Sequence, residues 1–270
     1  MTVNGEQATS FGSVADSYDR VRPWPAPAAM DWLVPAGCEV AVDLAAGTGL
    51  FTRELLGRAA RVTAVEPDAR MRDVLARRSP EIEVRAGWGE AIPLPDGSAD
   101  AVFVSTAWHW LDLPRAVPEI ARVLRPGGRL AVLWTSRDRD EDWVAVLDLL
   151  KAGVAGTADP LAAADESQLA EVRAELERHH VVTLPAGSAF GPGETASFGY
   201  RRTMSVDDAL AWLGTGSASI TAAAADRETS LARSRDVLLT QVRAGAAGPD
   251  PLIEMPVRTW CWRAERADTA

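Results

Sequence analysis

Asp43, Gly47, Gly49 and Glu66 are the residues whose types and spacing could hold a small molecule. In "VDLAAGTGLFTREL", residues 42–55, an apolar run ends on an acid and breaks into glycines. Glycines lack a Cβ, so a ligand can approach the backbone closely, and a helix starting beyond them offers free N–H donors. Glu66 lies 17 residues beyond Gly49, at the end of the next apolar run, where a carboxylate can accept both hydroxyls of a ribose. A dinucleotide site, a site for another nucleoside and a plain tight turn all remain open from the glycines alone. Three details weigh against a dinucleotide: Thr52 replaces the third Gly or Ala of that fingerprint, position 45 is Ala, and Asp43 sets an acid against the loop. A pyrophosphate would be repelled there, whereas an ammonium would be attracted.

The elements that must position these residues read as βαβ units. From residue 38 to about 135, Val-rich runs alternate with amphipathic stretches, the pattern of a parallel sheet buried on both faces. Strands are expected at "EVAVDL", "RVTAVE", "EIEVRA", "ADAVFVS" and "RLAVLWT", and helices at "FTRELLGRA", "DARMRDVLARR" and "DLPRAVPEIARVL", with "RPGG" turning into the fifth strand. Beyond residue 136, Trp143, Leu147 and Leu150, then Leu169, Val172 and Leu176, recur at helical intervals. "TASFGYRRTM" and "MPVRTWCWRAER" read as strands around a largely helical stretch from Ser205 to about Gly245, and residues 152–165 and 214–225 as loops.

Composition narrows the function. With 270 residues and 47% hydrophobic content the chain can bury a sizeable core. Its 38 acids against 28 Lys and Arg give a formal charge of -10, which disfavours nucleic acid as a partner. The N-terminus lacks a signal-peptide pattern and no apolar run is long enough for a membrane span, so a cytoplasmic protein with no membrane partner is expected, as monomer or homodimer. Cys38 and Cys261 form no metal or disulfide motif and are expected to be buried thiols; no metal site is expected.

Taken together, "VDLAAGTG", "AVEPDARM", "GWGEAIPLPDGSADAVFVSTAWHWLD" and "VLRPGGRLAVLW" resemble the class I S-adenosylmethionine-dependent methyltransferases, and among them the small-molecule group with a His-Trp motif after the fourth strand. Ala45 departs from that family's commoner first Gly. The resemblance implies a Rossmann-like α/β fold: a seven-stranded, mostly parallel sheet, an antiparallel strand near the C-terminus, and helices on both faces. It divides the chain into a lid segment (1–37), a cofactor-binding core (38–135), a helical acceptor cap with the sixth strand (136–250), and a final strand (251–270).

It also assigns roles. Asp43, Ala45, Gly47 and Gly49 would meet the methionine end of S-adenosyl-L-methionine; Glu66, Pro67 and Met71 belong to the ribose motif; Trp88, Gly89 and Glu90 fall where adenine binds. Ser105 would line the cleft near the sulfonium, and Tyr18 and Arg22, in "SYDRVRPWPAP", would contact the methionine end or an acidic substrate. His109 is the candidate catalytic residue, as a general base or as a group that orients substrate, whereas His179 and His180 read as helix caps or surface groups. Trp24, Trp108, Trp110 and Trp212 are candidates for an apolar acceptor pocket.

The implied enzyme is a methyltransferase that leaves S-adenosyl-L-homocysteine after in-line displacement. Alignment of donor and acceptor can supply roughly 7 to 11 kcal/mol of such a barrier. The amino-methyltransferase signature of an acid or Asn, two prolines and an aromatic is replaced by "STAWHW", which favours a small-molecule acceptor such as a carboxylate or a phenolic or natural-product hydroxyl. The alternatives are a cyclase or binding protein on the same scaffold, and a nicotinamide-dependent oxidoreductase.

Overall fold

The computed structural model describes residues 20–151, 160–215, 223–242 and 250–267. In chain order, α1 (Pro27–Leu33), β1 (Val40–Leu44), α2 (Leu50–Glu54), β2 (Arg61–Val65), α3 (Ala69–Arg78), β3 (Glu83–Arg85), β4 (Ala99–Ser105), α4 (Leu113–Val123) and β5 (Leu124–Arg137) form the alternating half. They are followed by α5 (Asp142–Lys151), α6 (Pro160–Ala163), α7 (Glu166–His179), β6 (Glu194–Ser205), α8 (Val206–Gly214), α9 (Ala224–Leu239) and β7 (Leu252–Glu265).

All seven strands join one sheet in the order β3-β2-β1-β4-β5-β7-β6. The first five run parallel, and β7 lies antiparallel between β5 and β6. Successive strands step outward from β1 on one side and from β4 on the other, so a crevice opens where their carboxyl ends meet, the usual ligand position in such sheets. Ala41, Val42, Asp43 and Leu44 of β1 are all buried, which is why that strand reads as a continuous apolar run. One core cluster packs α1 and α2 against the sheet, a second packs α4 against its other face, and a third joins α5, α7, α8 and α9 to the start of β7.

Local chemistry sets several boundaries differently from the sequence reading. The helix expected through Ala59 stops at Glu54, and Gly57 turns the chain with a φ of 76°. Strand β3 keeps only three residues. "RPGG" is a bulge inside β5 rather than a turn before it: Leu124 pairs with Ala99 and Arg129 with Ala101. Of the expected loop at 152–165, residues 152–159 lie outside the described residues and Pro160–Ala163 is helical; α7 then starts on a capping box between Asp165 and Gln168. Of the loop at 214–225, residues 216–222 lie outside the described residues and α9 already begins at Ala224. Cys38 and Cys261 are buried free thiols, and no helix among the described residues is long and apolar enough to cross a membrane.

Asp100 holds the other end of the crevice strands. Its buried carboxylate accepts hydrogen bonds from the N–H groups of Glu39 and Val40, both at 2.7 Å, and pairs with Arg125 at 2.5 Å, so β4 fixes where β1 begins. Replacing Asp100 with Ala strands two N–H donors and should cost about 2 to 4 kcal/mol in urea unfolding. A loss below about 0.5 kcal/mol would show that this clamp does not hold β1, since that is the range of changes away from such features.

Candidate active site

The carboxyl ends of β1 and β4 open on a cavity of about 610 Å³. Two residues without glycine's freedom are forced to positive φ at its wall, Ala45 and Thr106, both at 59°. Each such conformation costs about 1 to 2 kcal/mol, and strain of this kind persists where the surroundings impose it. Here the sheet does so: Ala46 N–H donates to the Val65 carbonyl at 3.2 Å, and Thr106 N–H to the Leu133 carbonyl at 2.7 Å.

Asp43, one residue before the bend, is sealed from solvent. The Thr52 hydroxyl donates to one of its carboxylate oxygens at 2.5 Å, and the other has no partner. Burial pushes the Asp43 carboxyl up to about 7 against the Thr52 hydrogen bond, with repulsion from Glu66 adding to the rise. Glu66 faces the cavity and accepts from the N–H groups of Gly47 and Asp68, both at 2.9 Å, which leaves each oxygen room for a further donor. Burial raises its pKa although both N–H groups act the other way.

The two glycines have different reasons to be glycine. Gly47 lines the cavity with a φ of 58°, and a Cβ there would meet nothing within 4 Å. Gly49 is not on the cavity wall: a Cβ there would come within 2.6 Å of Leu75 on α3, so this position serves helix packing. Pro67, Met71, Trp88, Gly89, Glu90 and Ser105 all line the cavity. Trp88 is 48% exposed, so its ring stands on the wall and not in the core.

The turn Trp108–Trp110 after β4 is a single 3₁₀ turn, so three successive side chains point in three directions. Trp108 faces inward and packs in the core, not on the acceptor wall where the sequence reading set it, while His109 and Trp110 line the cavity with ring centroids 4.6 Å apart. Burial lowers the His109 pKa, and His179 adds to this, so the imidazole is neutral at pH 7.

Trp24 is placed away from the cavity as well. Strand β6 pins the segment before α1: Tyr200 Oη donates to the Trp24 carbonyl at 2.7 Å, Arg202 to the Val21 carbonyl at 2.8 Å, and the Arg202 guanidinium lies 4.7 Å from the Trp24 ring centroid. The same anchoring delivers Arg22 to the cavity wall, where its Nε donates to Thr215 Oγ1 at 3.0 Å. Trp212 lines the wall too, and Tyr18 lies outside the described residues.

Sequence reasoning missed a charged cluster on the same cavity. Arg137, Arg139, Asp148 and Lys151 all line it. The signal was present: Arg137 and Arg139 stand at the end of the fifth strand, and "VAVLDLLK" carries an acid inside an apolar helix. His180 is a cap and not a surface group. It caps α7 as expected, and its ring is buried between Trp134 and Trp260, at 5.0 and 4.4 Å, and burial pushes its pKa down to about 3. His179 remains mostly exposed at the cavity rim. Among the described residues no group of three or more His, Cys, Asp or Glu side chains could hold a metal.

The cradle fits the cofactor that the fold family implies. Asp43 offers a buried oxygen without a donor, Gly47 leaves open space where a side chain would stand, and Glu66 keeps acceptor capacity. Residues 42–132 match the family model described as a methyltransferase domain. A methyltransferase of Mycobacterium tuberculosis, itself uncharacterised, is 44% identical over 176 residues, spanning 65% of this chain and 70% of the relative. The malonyl-(acyl-carrier protein) O-methyltransferase of Serratia marcescens is 37% identical over 138 residues, 47% of this chain and 52% of its own. The solved structure of a candidate type II methyltransferase from Anaeromyxobacter dehalogenans is 26% identical, with a TM-score of 0.61 over 91% of this chain and 97% of the other.

A cationic ligand group beside Asp43 favours its ionised form, so binding should release a proton below about pH 7 and none above it. The calorimetric affinity for S-adenosylhomocysteine is therefore expected to rise from about pH 5.5 to about 7 and then level off. Asp43→Asn should flatten that profile and weaken binding by about ten- to a hundredfold, the loss of one charge-assisted hydrogen bond. An unchanged profile in the variant would contradict the role of Asp43.

Proposed function

This chain belongs to the class I S-adenosylmethionine-dependent methyltransferases, and from that premise we propose that it methylates an oxygen, carboxylate or hydroxyl, of a small acidic molecule. One observation carries the reading: a single cavity joins the strand-end cradle of Gly47 and Glu66, with Asp43 buried behind its wall, to side chains of His109 and Arg22. Its volume is within the range of small-molecule sites. The Serratia marcescens relative supplies a precedent for transfer to oxygen on a similar chain.

In this reading the cofactor, when bound, would supply an electrophilic methyl on a sulfonium for transfer to the acceptor oxygen, with the neutral thioether of S-adenosylhomocysteine as the leaving group. Asp43 holds the cofactor's ammonium directly or through water, and Glu66 holds the ribose hydroxyls. Trp88 offers its exposed face to the base, where stacking is worth about 1 to 3 kcal/mol. Gly89 and Glu90 complete that subsite; Glu90 is held by the Asp112 N–H, which donates to its carboxylate at 2.8 Å. Ser105 and Ala45 border the reacting centre at the ends of β4 and β1. Trp110 and Trp212 supply apolar wall that excludes water from it.

His109 is neutral at working pH and takes the proton of a hydroxyl acceptor; an ionised carboxylate needs no base. Residues 1–37 serve as the lid, 38–135 as the cofactor core, 136–250 as the acceptor cap and 251–270 as the segment whose strand completes the sheet. Arg22 lies at the junction of lid and cap, fixed by Thr215 after α8.

Mass spectrometry of reactions with panels of organic acids, phenols and amines should find the mass gain of one methylene on acids or hydroxyl compounds; transfer confined to amines would overturn the reading. His109→Gln should lower kcat by about 10² to 10⁴ for hydroxyl acceptors, with little change for carboxylates. An effect within a few-fold on both classes would remove His109 as the base.

A further inference from the structure

Away from the cofactor cradle, at the end of β5 and on α5, the cavity lining carries basic side chains gathered about a single carboxylate. Arg137, at the end of β5, is almost fully buried, with its side chain 5% exposed. One of its terminal nitrogens donates to Asp148 at 2.8 Å, and its Nε has no partner. Arg139 donates to the other Asp148 oxygen and to Ser136 Oγ at 3.1 Å, while Lys151 Nζ is 3.6 Å from Asp148. Three basic side chains therefore share one carboxylate, and Arg22, held by Thr215, lines the same cavity.

The cluster bears the marks of that imbalance. Burial works against ionisation of Asp148, yet Arg137, Arg139 and Lys151 together outweigh it and hold the carboxyl below its usual range. Burial, then repulsion from Arg137, pulls Lys151 down to about 7. Burying like charges together is unfavourable unless a counter-charge joins them, and this occurs in a chain whose formal charge is -10. Trp212, with the Arg137 guanidinium 5.4 Å from its ring centroid, backs the cluster and limits where an anion could sit.

We infer that Arg137, Arg139 and Lys151, with Arg22 beside them, seat a permanent oxyanion of the acceptor, a carboxylate or a phosphate distinct from the oxygen that is methylated. The acceptor is then a small molecule with an anion at one end and the methylated oxygen at the other. Asp148 is a positioning residue: it spaces the guanidinium groups so that their remaining donors converge on the anion. This inference rests on the methyl-transfer reading, because it takes the opposite wall to be the cofactor's.

Calorimetry on the full chain saturated with S-adenosylhomocysteine tests it, with butyrate, propyl phosphate, 1-butanol and putrescine as probes. Butyrate or propyl phosphate should bind at least about tenfold more tightly than 1-butanol, the step expected for one charge-assisted contact, and putrescine not at all. Comparison of the butyrate and propyl phosphate arms separates carboxylate from phosphate. Arg137→Gln and Lys151→Gln should each abolish that preference with the affinity for S-adenosylhomocysteine unchanged, which also verifies folding; Arg139→Gln, on a more peripheral side chain, provides an independent variant. Equal affinity for butyrate and 1-butanol, or a preference that survives these variants, would overturn the inference and leave methyl transfer standing. Failure of the parent chain to bind S-adenosylhomocysteine would instead overturn the reading beneath it, and this inference with it.

Discussion

The Thr52 hydroxyl donates to one oxygen of Asp43, and the second oxygen is buried without a donor. An unmet acceptor of this kind costs about 1 to 3 kcal/mol, and the rise of the Asp43 pKa to about 7 expresses the same deficit as proton affinity. The sheet enforces it. Asp43 is in register with Ala64 on β2 and Phe103 on β4, neither of which brings a side-chain donor. Asp100 fixes the opposite end of β1, and the bends at Ala45 and Thr106 shape the cavity beyond it. The strained, desolvated end of the central strand thus stores a demand for positive charge, and in our reading the cofactor's ammonium meets it.

The far wall presents the complementary demand. Arg137, Arg139 and Lys151 crowd one carboxylate, so that end of the cavity calls for an anion as the near end calls for a cation. The neutral His109 and the ring of Trp110 line the same cavity, and Trp212 backs the cationic end. In our reading a cavity polarised in this way would orient a cationic donor and an anionic acceptor, each with one favourable end. Alignment is the largest part of what methyl transfer asks of a protein, since the sulfonium is already a good leaving group.

Legibility in the sequence followed the range of the interactions. The parallel sheet, the glycine loop and Glu66 were readable because each depends on neighbours within one βαβ unit, where periodicity and spacing carry the signal. The same local logic placed Gly49 at the ligand, although its lack of a Cβ serves Leu75 on α3, a contact made across 26 residues of sequence. Trp24 and Trp108 show the limit for aromatics. Composition marks them as conspicuous, but only the β6 anchoring and the 3₁₀ turn decide which way they face. The charged cluster assembles from the end of β5 and a face of α5, and His180 is enclosed by strands that the chain adds before and long after it. Such packing has no one-dimensional signature beyond an acid in an apolar helix.

A crystal structure with S-adenosylhomocysteine bound tests the central claim most directly. The account predicts the ribose hydroxyls on Glu66, the ammonium within hydrogen-bonding reach of the free Asp43 oxygen directly or through one water, and the sulfur facing His109 and the cationic wall across the cavity. A ligand whose ammonium points away from Asp43, or whose sulfur faces away from that wall, would contradict it.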